Sequence, residues 1–114
     1  MKIKPILSAA GLCAALVFSP LASAADAAAA QALAKKEGCL KCHAVDKKKD
    51  ASSLKDIAKK FAGKPDAEAK VLAQITTGQK VKLEDGTEEE HKMLKTKDKA
   101  EIDNLIGWIL SLKN

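Results

Sequence analysis

The chain has 114 residues, with 20 basic side chains against 15 acidic ones, and every base is a lysine. Lacking arginine's planar fork, and with acids interspersed among the lysines, the composition speaks against nucleic-acid binding. Aromatic residues make up 3% of the sequence, and a chain this short buries only a marginal core from its own side chains, so some other large apolar body is expected inside.

The first 24 residues have the pattern of an export signal. Lys2 and Lys4 form a positive start, Ile6 to Leu21 is mostly apolar, and Ala22-Ser23-Ala24 supplies the small-residue cleavage pattern. The apolar stretch is short and broken by Pro20, which argues against an uncleaved anchor. The expected organisation is therefore a signal peptide over residues 1–24, cleaved after about Ala24, and one domain over residues 25–114. Cys13 leaves with the leader. The mature chain then keeps 18 lysines, a net charge of +3 and two cysteines. A periplasmic address follows, with no membrane attachment after cleavage, and a monomer is the favoured state.

Ala25 to Glu37 is alanine-rich, with Asp26 as a candidate N-cap and Gly38 placed to stop the helix. Ala30, Leu33 and Ala34 give it a small-residue face that lets another helix approach closely. The helix delivers the chain to Cys39-Leu40-Lys41-Cys42-His43. Two thiols three positions apart can each add across a haem vinyl group, and the next imidazole then falls beneath the iron as its proximal ligand. C-x-x-C also serves thioredoxin-like centres and zinc sites, but the chain lacks a βαβ pattern and a second ligand pair.

Ala44 to Ser52, with Lys47-Lys48-Lys49, reads as a surface loop. Ser52 or Ser53 is placed to cap a second helix, whose apolar positions Leu54, Ile57, Ala58 and Phe61 have helical spacing before Gly63 ends it. Pro65, Asp66 and Glu68 suit the start of a third helix running from about Pro65 to Thr77, with Val71, Leu72 and Ile75 as its buried stripe. From Gln79 to Lys97 the periodicity fails. There Val81 and Leu83 alternate briefly, Asp85-Gly86 marks a turn, and His91-Lys92-Met93 offers two candidate iron ligands. Asp98 and Glu101 open a final amphipathic helix through Ile102, Leu105, Ile106, Ile109 and Leu110. Gly107 lies in mid-helix at a cost of about 1 kcal/mol, so another backbone is expected to come close there, the first helix being the natural partner. No sheet is expected.

This order of parts resembles the class I cytochromes c of small periplasmic type. The resemblance lies in a helix ending Glu37-Gly38 before the Cys39-x-x-Cys42-His43 run, a Met-bearing loop, and a closing helix with Gly107-Trp108-Ile109-Leu110-Ser111-Leu112. It spans essentially the whole mature chain. It implies an all-α fold of about four helices wrapped around one covalently attached haem c, with the first and last helices crossing at small residues. Carried over, Cys39 and Cys42 hold the haem by thioethers, His43 is the proximal iron ligand and Met93 the distal one. Two features depart from the family's pattern. Met93 lacks a flanking proline, and the usual Gly-Pro ahead of the second helix reads Ala51-Ser52, which makes the Ser52 carbonyl the candidate acceptor for the His43 N–H. His91 competes with Met93 for the distal position.

The function implied is transfer of single electrons between redox proteins by Fe(III)/Fe(II) cycling, without enzymatic turnover of a substrate. Lys41 and Lys47 to Lys49 are candidates for docking a partner with an acidic surface. The alternative is a haem-based CO or NO sensor with a labile distal ligand, motivated by a loosely braced Met93 loop.

Overall fold

The computed structural model describes residues 25–113, together with Gly11; the proposed signal peptide otherwise lies outside the described residues. Among the described residues four helices form the body: α1 (Ala27–Lys36), α2 (Leu54–Phe61), α3 (Ala67–Thr76) and α4 (Lys99–Ser111), with a 3-10 turn at Cys39–Lys41. Each helix start follows from its local chemistry. The Asp26 carboxylate accepts the N–H of Ala29, the Ser53 hydroxyl that of Asp56, and the Asp98 carboxylate those of Ala100 and Glu101. The capping box expected at α4 closes through a third residue. Thr96 Oγ1 accepts the Asp98 N–H and donates to Glu101 Oε2, so Glu101 reaches the cap residue by relay.

Helix α4 is the centre of the packing, with α1, α2 and α3 all set against it. Its buried residues Ile102, Leu105, Ile106, Trp108 and Ile109 meet Ala30, Leu33 and Ala34 of α1, Leu54 of α2, and Val71 and Ile75 of α3 in one cluster. The start of α1 is fastened to α4 by two hydrogen bonds, Asp26 N–H to Asn104 Oδ1 at 2.8 Å and Asn104 Nδ2–H to the Asp26 carbonyl at 3.0 Å. The first and last helices pack together as expected, but a Cβ placed on Gly107 would meet only Ala25 Cβ, just ahead of α1, at an ordinary 3.6 Å, so no backbone among the described residues approaches closely there.

Three details differ from the periodicity. Helix α3 starts at Ala67, not Pro65, with Asp66 as its cap residue. Its buried positions are Ala67, Val71 and Ile75, every fourth residue, and Leu72 at the edge of that narrow stripe is 40% exposed. Phe61 is half-buried at the end of α2, packed against the core.

The largest departure is a two-stranded antiparallel sheet where none was expected. β1 (Lys80–Lys82) pairs with β2 (Glu88–Glu90), placing Lys80 opposite Glu90 and Lys82 opposite Glu88. Opposite charges across the ladder favour this register. The Asp85-Gly86 turn closes the hairpin: Asp85 Oδ1 accepts from both the N–H and the hydroxyl of Thr87. Those bonds hold the Asp85 carboxyl below its ordinary pKa. The hairpin leans on the preceding loop through Glu84 N–H to the Asp50 carbonyl (3.1 Å) and the Lys48–Glu84 ion pair (3.0 Å). Strand β2 ends one residue before His91, so the hairpin delivers that side chain to the body of the protein.

Candidate haem site

The C-x-x-C-H run is built on a sharp turn at the end of α1. Gly38 adopts φ +79°, a conformation open to glycine at little cost, and turns the chain out of the helix into the 3-10 turn. The N–H groups of Cys42 and His43 both reach the Cys39 carbonyl, at 3.4 and 3.1 Å, so Cys39, Cys42 and His43 are carried on one turn of backbone. Both thiols are free and half-buried. Burial pushes the Cys39 thiol above its ordinary pKa, with the Glu37 carboxylate adding to the effect and the Lys92 ammonium opposing it. Among the described residues no three His, Cys, Asp or Glu stand together as a cage for a bare metal ion.

His43 meets the acceptor that the family resemblance pointed to. Its Nδ1 lies 2.7 Å from the Ser52 carbonyl oxygen, which only accepts, so Nδ1 carries the proton and Nε2 is left with a free lone pair. The loop that presents Ser52 folds back on the motif. Ala51 N–H donates to the Cys42 carbonyl and Leu54 N–H to the Ala44 carbonyl, while the Lys49 ammonium donates to the Leu40 carbonyl.

The His91 ring faces His43, with ring centres 6.2 Å apart and planes inclined by 39°. Its Nδ1 lies 2.9 Å from the Lys92 carbonyl oxygen, so this imidazole too points a free Nε2 away from its anchor. Burial pulls the His91 pKa below its ordinary value, favouring the neutral form, with His43 adding to the effect. A metal-bound imidazole nitrogen stands about 2 Å from the metal and about 1.1 Å from its own ring centre, so two rings on opposite sides of one ion have centres about 6.2 Å apart. The observed spacing would admit one metal ion held by a nitrogen of each ring.

Met93 lies nearby but is 52% exposed, its Sδ 3.5 Å from where a Cβ on Gly78 would stand. The segment that carries both candidates is well tied. His91 N–H donates to the Gln79 carbonyl (2.8 Å), Leu94 N–H to the Ile75 carbonyl (2.9 Å), and Lys95 N–H to Glu37 Oε2 (2.7 Å). Leu94 is buried in the core and Glu37 is 5% exposed; neither stood out in the sequence as part of the site. A signal for Glu37 was present, because an acid at a helix C-terminus opposes the helix dipole and calls for a specific partner.

A helical shell around a C-x-x-C-H turn, with a second imidazole facing the first, defines a small redox protein with covalently bound haem. The chain belongs to the cytochrome c family, whose profile, described as Cytochrome c, matches residues 27–113. It is 39% identical over 83 residues to cytochrome c2 of Rhodocyclus tenuis, covering 72% of this chain and 90% of that one. To cytochrome c-551 of Pseudomonas aeruginosa it is 43% identical over 58 residues, covering 51% and 56%. In structure it resembles the class 1 cytochrome MtoD of Sideroxydans lithotrophicus ES-1, with TM-score 0.77 and 50% identity over 80% of this chain and all of that one. Wild-type cytochrome c552 of Nitrosomonas europaea gives TM-score 0.60 and 34% identity, covering 73% and 99%. The chain is thus a class I monohaem cytochrome c and an electron carrier, its cofactor one covalent haem c at the C-x-x-C-H motif.

Proposed function

We propose that the chain works in the periplasm as a soluble shuttle for single electrons, as a domain over residues 25–114 freed of its leader at residues 1–24. Cys39 and Cys42 bind the haem through thioethers, His43 is the proximal ligand, and His91 takes the distal position in place of Met93. The haem iron supplies one-electron Fe(III)/Fe(II) cycling. The protein holds both imidazoles in fixed tautomers, shields the site with the α4 core, and leaves an edge for a partner.

The observation that supports this reading is the His43–His91 pair, at a separation compatible with one shared iron, with each Nδ1 anchored to a backbone carbonyl. Two neutral imidazoles give a lower reduction potential than a His–Met pair in the same fold. A held distal segment also removes the motive for the gas-sensor alternative, since three main-chain amides tie residues 91–95 to the body. No helix among the described residues is long and apolar enough to cross a membrane, which is compatible with a freely diffusing carrier.

The partner is a redox protein with an acidic docking surface. All four lysines near the motif are exposed; Lys48 is paired with Glu84 and Lys49 donates to the Leu40 carbonyl, so Lys41 and Lys47 are the ones that carry the docking charge. The test is the absorption and electron paramagnetic resonance of the ferric holoprotein. A bis-imidazole resonance without the far-red sulfur-to-iron band is expected. Presence of that band would return the distal position to Met93.

A further inference from the structure

Glu37 sits where an acid is least at home. It closes the C-terminal end of α1, where the helix dipole is negative and where Lys35 and Lys36 are the fitting residues. It is also 5% exposed. A carboxylate in such a place persists when a specific donor satisfies it. The donor is the main-chain N–H of Lys95, at 2.7 Å and 58 positions along the chain.

That bond differs in kind from the other two that hold the distal segment. The His91 and Leu94 amides reach Gln79 and Ile75, at the end of α3 and just beyond it. The Glu37 bond instead crosses to the side of the molecule that bears Cys39, Cys42 and His43. A second contact lies at the same junction: the Lys92 ammonium rests over Gly38, 2.8 Å from where a Cβ would stand. Residues 92 and 95 of the distal segment thus both touch the residue pair immediately ahead of Cys39.

We propose that Glu37 is a positioning residue for the distal axial ligand. Its carboxylate fastens the segment that begins at His91 to the turn that carries the proximal ligand. One buried side chain thereby sets how far apart the two faces of the haem site stand and how readily the distal side opens. The proposal rests on the haem reading above.

The test uses holoprotein carrying Glu37→Gln or Glu37→Ala beside wild type. Glutamine keeps an acceptor oxygen without the charge; alanine keeps neither. Reduced protein is mixed with CO, which binds only after the distal ligand has left the iron. Glu37→Ala should bind CO about ten- to hundredfold faster, as expected for losing a hydrogen bond to a charged group, and should shift the ferric resonance. Glu37→Gln should stay close to wild type in both. A wild-type CO rate and resonance in the alanine variant overturn the proposal, and so does an equal shift in both variants, which would assign the effect to charge alone. Should Glu37→Ala fail to accumulate, Lys95→Pro removes the same bond from the donor side. A faster CO rate there supports the proposal and an unchanged one overturns it. Wild-type protein whose mass shows no covalent haem would sink the haem reading itself, before any variant is compared.

Discussion

The imidazoles of His43 and His91 are neighbours with their centres 6.2 Å apart and their planes inclined by 39°, one held through Nδ1 by the Ser52 carbonyl and the other by that of Lys92. Distance and tautomer agree. Each ring turns its unprotonated nitrogen away from its own anchor, which is the arrangement two ligands of one iron need. Met93, half exposed against Gly78, has no comparable anchor for its sulfur. Substitution should separate the two. Met93→Leu should leave the ferric spectrum and resonance unchanged, whereas His91→Ala should abolish the bis-imidazole signature and raise the reduction potential. If Met93→Leu is the variant that changes the spectrum, the assignment of His91 is wrong.

Gly38 turns the chain from α1 into the motif at φ +79°, a region that costs an L-residue about 1–2 kcal/mol. The Lys92 ammonium near its missing Cβ ends a flexible side chain and can move aside, so backbone strain outweighs the steric contact. Gly38→Ala should lower holoprotein stability by about 1–2 kcal/mol in denaturant titration. A neutral result would mean that the turn has other ways to form.

Gly107 behaves oppositely. A Cβ there meets Ala25 Cβ at 3.6 Å, ordinary contact, while glycine in a helix interior costs about 1 kcal/mol against alanine. Gly107→Ala should therefore stabilise the protein by up to about 1 kcal/mol in thermal unfolding. Gly107→Leu should overpack the crossing and destabilise by about 1–3 kcal/mol.

Lys47, Lys48 and Lys49 are all exposed, but Lys48 is engaged with Glu84 and Lys49 with the Leu40 carbonyl. Lys47→Glu should slow association with an acidic redox partner at low salt in stopped-flow mixing. The difference should vanish near 1 M salt, where the screening length is about 3 Å. Lys48→Ala should change stability by less than about 1 kcal/mol, as expected for an exposed pair.

Much of the molecule could be read from its sequence because local chemistry and tertiary packing agree there. Asp26, Ser53 and Asp98 cap the helices they were expected to cap, and the α4 stripe from Ile102 to Ile109 is buried as its period requires. The Ser52 carbonyl receives the His43 N–H, as expected where the family's Gly-Pro is missing. The hairpin was hidden for a physical reason. Its strands are three residues long, and one of them is Glu88-Glu89-Glu90, a poor strand former that depends on lysines across the ladder and on contacts with the Lys48–Asp50 loop. The relation between His43 and His91 was equally out of reach, since it depends on where that hairpin delivers its last residue. Glu37 was legible only as an oddity, because its partner is a backbone amide and leaves no trace in residue type.

The anchoring of both rings through Nδ1 also bears on what travels with the electron. Each ring N–H ends on a main-chain carbonyl oxygen, a group that takes up no proton near neutral pH, so neither imidazole has an acceptor to relay its proton to solvent. Change of the iron's charge by one unit should then proceed without proton uptake or release at these ligands. Any slope of the wild-type midpoint potential with pH around neutrality in spectroelectrochemical titration should then come from groups other than these two ring N–H groups. A carrier of this kind would keep its own ligand set in the same protonation state on both sides of each electron transfer.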